Sequence, residues 1–228
     1  MDTAVTKHGG VSILYDTALP ERPTREWFEA DWWQTQGLVS AKLGGRGQAV
    51  AIRTPAGRAV LRRFRRGGLV ARLSTDHFVR SRAENSRAMR EFCLLTQLRH
   101  KQLPVPDPLA ASFEPAGVFY RAALMTRQIP EARELADLAG DLVRSDWERL
   151  AATLRRFFAA GLVHPDLNAR NILLGEDGQW CLVDFDRARL LGRPVSGRRM
   201  CLRLERSLRK IAASGWESDF ASTVGKRR

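Results

Sequence analysis

Asp166, Asn171 and Asp184 are the residues of this chain whose types and spacing point most directly to chemistry. The first two stand in His164-Pro165-Asp166-Leu167-Asn168-Ala169-Arg170-Asn171 and the third in Leu182-Val183-Asp184-Phe185-Asp186. Between them, apolar runs at 172–174 and 180–183 flank Glu176-Asp177-Gly178-Gln179, a pattern that reads as a β-hairpin. A hairpin returns its far end to its start, so Asp184 is expected beside Asn171. A carboxylate and an amide oxygen brought together suit Mg²⁺, which takes hard oxygen ligands and keeps its other positions for water or substrate phosphates. Asp166 is then left to orient or deprotonate an attacking hydroxyl. His164 reads as a brace for this loop. Arg170 is a candidate for steadying negative charge in the site, or for contacting backbone or substrate.

The elements that must position these groups are legible in outline. Residues 24–36 read as a helix stopped by Gly37. A glycine turn, Gly44-Gly45-Arg46-Gly47, leads into strands at 49–53 and 59–64 joined by the turn Thr54-Pro55-Ala56-Gly57. A helix is expected over 83–99, with Ser81 and Glu84 as its capping pair. A strand pair follows at 109–113 and 118–125. The next helix carries the stripe Leu150, Leu154, Phe157 and Phe158, with Ser145 and Glu148 as its cap and Gly161 as its stop. A basic helix is expected over 197–213. This divides the chain into a sheet-rich part, 1–128, and a helix-rich part, 129–228, with a ligand cleft expected between them.

Composition narrows the choice of function. The 228 residues carry a formal net charge of +13, which favours anionic partners. Basic residues cluster at 62–72, 198–210 and 226–228, yet no zinc finger, RNP motif or basic zipper is present, and nucleic acid is not the expected partner. No apolar run is long enough for a spanning helix, and the first ten residues lack a secretory pattern. A location in the cytosol or on its membrane face is therefore expected. Cys93, Cys181 and Cys201 lie far apart, which argues against a disulfide framework or a zinc site.

The pattern H-x-D-x4-N, apolar run, hairpin turn, apolar run, D-F-D resembles the catalytic loop and metal aspartate of protein-kinase-like enzymes. That resemblance implies an α+β, two-lobed fold with a small antiparallel-sheet N-lobe and a compact, truncated helical C-lobe, using ATP with Mg²⁺ on Asn171 and Asp184. Pro165 stands where protein kinases have arginine, Asp186 replaces the glycine of D-F-G, and no A-P-E segment follows. A small-molecule or sugar acceptor is the expected consequence. Gly45, Arg46 and Gly47 have the place of the phosphate-covering loop. Arg62 occupies the strand position of the usual phosphate-binding lysine, with Arg63 on the opposite face and Glu91 as the expected ion-pair partner.

The run Leu61-Arg62-Arg63-Phe64-Arg65-Arg66-Gly67-Gly68-Leu69 resembles a segment of the 3-deoxy-D-manno-octulosonic acid (Kdo) kinases, which belong with the lipopolysaccharide core heptose kinases. Arg90-Glu91-Phe92, Val105-Pro106-x-Pro108, Asp184-Phe185-Asp186 and Arg203-Leu204-x-Arg206-Ser207-Leu208 are similar to that family too. The resemblance spans roughly residues 25–212. It implies phosphorylation of the 4-hydroxyl of a Kdo residue on a lipid A precursor, by a peripheral protein at the anionic cytoplasmic face of the inner membrane. Arg65, Arg66 and Arg72 are candidate acceptor contacts. The alternatives are a kinase of core heptose, of a small molecule such as an aminoglycoside-like drug, or of a protein; or else a basic pseudokinase that binds membrane or nucleic acid.

Overall fold

The computed structural model describes residues 1–43, 49–64, 78–79, 83–117, 119–211 and 214–225. Gly45, Arg46 and Gly47 lie outside these residues, as do Arg65, Arg66, Arg72, Ser81 and the basic cluster 226–228. The chain is α+β, as the motifs anticipate, and forms two compact units: residues 1–96 with 107–128, and residues 97–106 with 129–228.

The first unit contains β1 (Thr3–His8), β2 (Val11–Asp16), α1 (Ala30–Thr35), β3 (Val39–Leu43), β4 (Ala49–Thr54), β5 (Gly57–Arg63), β6 (Phe78–Val79), most of α2 (Arg87–His100), β7 (Pro108–Ala116) and β8 (Phe119–Arg127). The strands form an antiparallel sheet in the order β1-β2-β7-β8-β5-β4-β3, with β6 also pairing with β8. Period-two alternation puts Val11, Ile13 and Tyr15 of β2, and Ala59 and Leu61 of β5, into the core. Trp27, Phe28 and Trp33 pack into the same cluster.

Two local expectations change in this unit. The single helix over 24–36 is a 3₁₀ turn, Arg25–Phe28, followed by the short α1. Glu29 breaks it by adopting an extended backbone, and its carboxylate accepts a hydrogen bond from Arg63 at 2.8 Å. The Trp33 indole N–H bridges the break by donating to the Trp27 carbonyl at 2.7 Å. The β1–β2 hairpin was not anticipated. Gly9 and Gly10 form its turn, both at positive φ (54° and 81°), as a tight type I′ connection requires.

The second unit contains β9 (Arg133–Glu134), α3 (Leu135–Leu138), α4 (Arg144–Ala159), β10 (Leu162–Val163), β11 (Ile172–Leu174), β12 (Trp180–Leu182), β13 (Arg189–Leu190), α5 (Arg198–Ile211) and α6 (Glu217–Ser222). Its centre includes Trp147, Trp216 and Phe220 in mutual ring contact. The cap of α4 lies earlier than Ser145. The helix begins at Arg144, and the Asp146 carboxylate accepts the Val143 N–H at 3.1 Å, satisfying a donor ahead of the first turn. Gly161 stops α4 at φ 88°. A Cβ there would meet the Arg193 carbonyl oxygen at 2.5 Å, so both backbone conformation and space require glycine.

Candidate active site

The β11–β12 hairpin does what its sequence requires of the site. Its register pairs Ile172 with Leu182 and Leu174 with Trp180, and one step further the Val183 N–H donates to the Asn171 carbonyl at 3.0 Å. Asp184 is the residue after this bond, so the backbone brings it next to Asn171. There the chain leaves the strand through a left-handed residue, Asp184 at φ 62°. Aspartate is among the few non-glycine types that tolerate this region, and such conformations concentrate at functional sites.

The catalytic loop is folded around one carbonyl. Asn168 and Asn171 both donate their side-chain amide N–H to the Asp166 carbonyl, at 2.9 and 3.0 Å. Asn168 also accepts the Arg170 N–H at 2.9 Å, opening the 3₁₀ turn Ala169–Asn171. Sequence reasoning gave Asn168 no role; its place in the D-L-N-x-x-N run was the available signal. Because the nitrogen of the Asn171 amide is committed to Asp166, its oxygen is the end left for a cation. Among the described residues no cluster of three or more His, Cys, Asp or Glu residues forms a metal cage. One amide oxygen and one carboxylate fit Mg²⁺ that arrives with phosphates rather than a metal held by protein alone.

His164 lies under this loop, 1% exposed. Its backbone N–H donates to the Met200 sulfur at 3.2 Å, its Nε2 lies 3.3 Å from the Val183 carbonyl, and its ring packs against Phe185. Burial pushes its pKa down. The bond to Val183 and the charges of Asp184 and Asp166 oppose that shift without cancelling it. Burial favours the neutral ring, whose Nε2–H donates to the Val183 carbonyl and ties the segments carrying Asp166 and Asp184.

The Asp166 side chain is 40% exposed, and its two oxygens face two guanidinium groups, Arg203 at 3.8 Å and Arg187 at 3.7 Å. Neither arginine was singled out as a site residue from sequence. Arg170 is placed on a different carboxylate, donating to Glu134 of β9 at 2.7 Å. In the first unit, Arg62 of β5 donates to the Glu91 carboxylate of α2. Glu91 is only 3% exposed, and the Arg62 guanidinium also stacks over Phe64, 4.7 Å from the ring centre. Arg63, on the other face of β5, is held by Glu29.

Residues 30–220 match the model of the lipopolysaccharide kinase (Kdo/WaaP) family. The chain is 44% identical over 202 residues to a 3-deoxy-D-manno-octulosonic acid kinase of Xanthomonas oryzae pv. oryzae, covering 88% of this chain and 81% of the relative. It is 41% identical over 177 residues to a 3-deoxy-D-manno-octulosonic acid kinase of Stenotrophomonas maltophilia, covering 77% and 71%. The solved kinase PK-1 of the Cydia pomonella granulovirus overlaps 69% of this chain and 54% of that one at a TM-score of 0.49 and 15% identity, a likeness too loose to add to the family match. The chain is thus an enzyme of the kinase class, an ATP-dependent phosphotransferase. It belongs to the lipopolysaccharide kinase (Kdo/WaaP) family.

Proposed function

We propose that this enzyme transfers the γ-phosphoryl group of ATP to the 4-hydroxyl of a Kdo residue on a lipid A precursor, during lipopolysaccharide biosynthesis. The observation that carries the chemistry is the loop in which Asn168 and Asn171 clamp the Asp166 carbonyl while the hairpin returns Asp184 to Asn171. The acceptor rests on the names of the relatives.

In this reading the Asp166 carboxylate orients the sugar hydroxyl and takes its proton. The hydroxyl oxygen bonds to the γ-phosphorus as the bond to the bridging oxygen breaks, and ADP leaves. The Asn171 amide oxygen and the Asp184 carboxylate are the residues to hold Mg²⁺, which when bound neutralises charge on the phosphate oxygens. Arg62, kept in place by Glu91, is the proposed phosphate ligand of the first unit, with the turn Gly45-Arg46-Gly47 as phosphate cover.

The same reading places the enzyme peripherally at the cytoplasmic face of the inner membrane. A net charge of +13 supports attraction to acidic lipid, where each nearby basic residue contributes about 1 kcal/mol. Among the described residues no helix is long and apolar enough to cross a membrane. Flotation with anionic and with zwitterionic vesicles tests this placement, and equal recovery with both would reject it.

Incubation with ATP, Mg²⁺ and Kdo-bearing lipid A precursor, followed by mass analysis and NMR of the product, tests the reaction. One added phosphate on the Kdo 4-position is expected. Phosphate on another sugar, or an unmodified acceptor, would reject the assignment.

A further inference from the structure

α5 lies against the catalytic loop through one face. Met200, Arg203 and Ser207 are spaced three and four residues apart, so they share a side of the helix. Met200 accepts the His164 N–H at 3.2 Å, Ser207 accepts the Ala169 N–H at 3.2 Å, and Arg203 faces Asp166 at 3.8 Å. Leu204 and Leu208 are fully buried beside them. α5 thus holds the loop at both ends and aims one cation at its centre. Arg187, three residues beyond Asp184, supplies a second.

These two arginines differ from others on the same surface. Arg206 donates to the Leu202 carbonyl of its own helix, and Arg209 is paired with Glu205 at 2.8 Å. Arg187 and Arg203 lie 3.7 and 3.8 Å from Asp166, beyond the ~3.2 Å reach of an ordinary N–H···O bond. Their side chains are 71% and 51% exposed, and among the described residues Asp166 is the polar partner of each. Two cations share one carboxylate at more than hydrogen-bond distance, so their guanidinium forks are still open for a bidentate anion. The open forks sit beside the carboxylate that the acceptor hydroxyl must reach.

We infer that Arg187 and Arg203 form the anion-binding half of the acceptor site and take the carboxylate of a sugar acid. This deepens the function proposed above and rests on it. A carboxylate that draws the guanidiniums onto itself also frees an Asp166 oxygen for the incoming hydroxyl. Selection for an acidic sugar and exposure of the base are then one event.

The test uses the full chain with Arg187→Gln, Arg203→Gln and the double variant. Steady-state kinetics are measured on Kdo-bearing lipid A precursor and on the same acceptor with its sugar carboxylate reduced to an alcohol. The KM for the intact acceptor should rise about tenfold or more in the double variant, while the KM for ATP moves by about twofold at most. Wild-type enzyme should prefer the intact acceptor, and the double variant should treat both alike. Lysine replacements should restore only part of the preference, because an ammonium lacks the bidentate fork. Circular dichroism checks that the variants are folded.

A rise in the KM for ATP instead would put the guanidiniums on the nucleotide and overturn the assignment. An equal loss with both acceptors would put them on another anion, such as a lipid phosphate, and would also overturn it. If wild-type enzyme phosphorylates the intact acceptor and the double variant matches it, this assignment alone fails. If wild-type enzyme leaves the acceptor unmodified, the proposed function fails and takes the assignment with it.

Discussion

Two arginine–carboxylate arrangements of this kinase are built on opposite principles. Arg62 and Glu91 meet in close contact with Glu91 buried, and an aromatic ring underlies the guanidinium. Arg187 and Arg203 stand off from a half-exposed Asp166 at 3.7 and 3.8 Å. A buried pair is fixed, because removing either partner strands a charge away from water. A loose, hydrated pair binds little of its own and can exchange partners as a substrate arrives. The first suits a group that must hold one position through every turnover. The second suits a base and its neighbours, whose partners must change.

The sharpest break of this comparison is at Asp166. Asp166→Ala removes the proposed base and should lower phosphoryl transfer by about 10²–10⁴-fold, the usual range for a positioned general base. Nucleotide affinity should stay within a few-fold, as measured by ATP titration, because the ligands assigned to Mg²⁺ and phosphate are other residues. Turnover near the wild-type rate would remove Asp166 from the chemistry.

Next in size is Glu91→Ala, which leaves Arg62 without its carboxylate beside the core. Breaking a fully buried pair from one side costs about 3–5 kcal/mol, and the 23% exposure of the Arg62 side chain puts the loss here below that range. Urea unfolding should report a loss larger than that of an exposed pair, along with weaker ATP binding. Glu29→Ala is the matched control in the same unit. Its pair with Arg63 is a third exposed on both sides, and its loss should cost about 1 kcal/mol or less. Equal losses for the two variants would erase the distinction drawn here.

These pairs also show what a sequence can and cannot reveal. The Asp166–Asn171–Asp184 arrangement was legible because a single hairpin determines it, and hairpins follow from alternating apolar runs and turn residues. Arg62 with Glu91 was legible through the resemblance to kinases, which pair the cation of this strand with a glutamate of the following helix. Arg203 beside Asp166 was not, since it depends on how α5 packs, and a basic helix of this kind offers several equivalent arginines. The Asp146 cap was hidden by a better-looking Ser145–Glu148 pair one residue away. The break at Glu29 was hidden because a run of tryptophans at helical spacing looks the same whether or not a carboxylate is diverted to Arg63. The Gly9-Gly10 turn between alternating residues was a readable hairpin signal that went unread.

Under the open Asp166 region lies a closed one, and pH separates them. Burial holds the His164 pKa below the ordinary histidine value, so the unfolded chain binds a proton more readily than the folded one. Stability linked to the neutral ring is therefore full above the unfolded pKa and is lost as pH falls through the folded value. Thermal unfolding midpoints should drop as pH falls below the ordinary histidine value of about 6.5, and His164→Gln should flatten that slope. A wild-type slope no steeper than the variant's would show that the proton does not reach this anchor.

The smallest effect expected is the one that best separates tethering from catalysis. Arg170 was a candidate for steadying charge in the reaction, but it spends its guanidinium on Glu134, with side chains 56% and 36% exposed. A pair so hydrated should contribute about 1 kcal/mol or less to stability. If its work is to tie the catalytic turn to β9, Arg170→Ala and Glu134→Ala should lower turnover to a similar, modest extent, and the double variant should be no worse than either alone. If Arg170 leaves Glu134 to meet the transferring phosphoryl group, Arg170→Ala should cost far more than Glu134→Ala. Kinetics on the three variants distinguish a strut from a reagent, and the distances in this structure favour the strut.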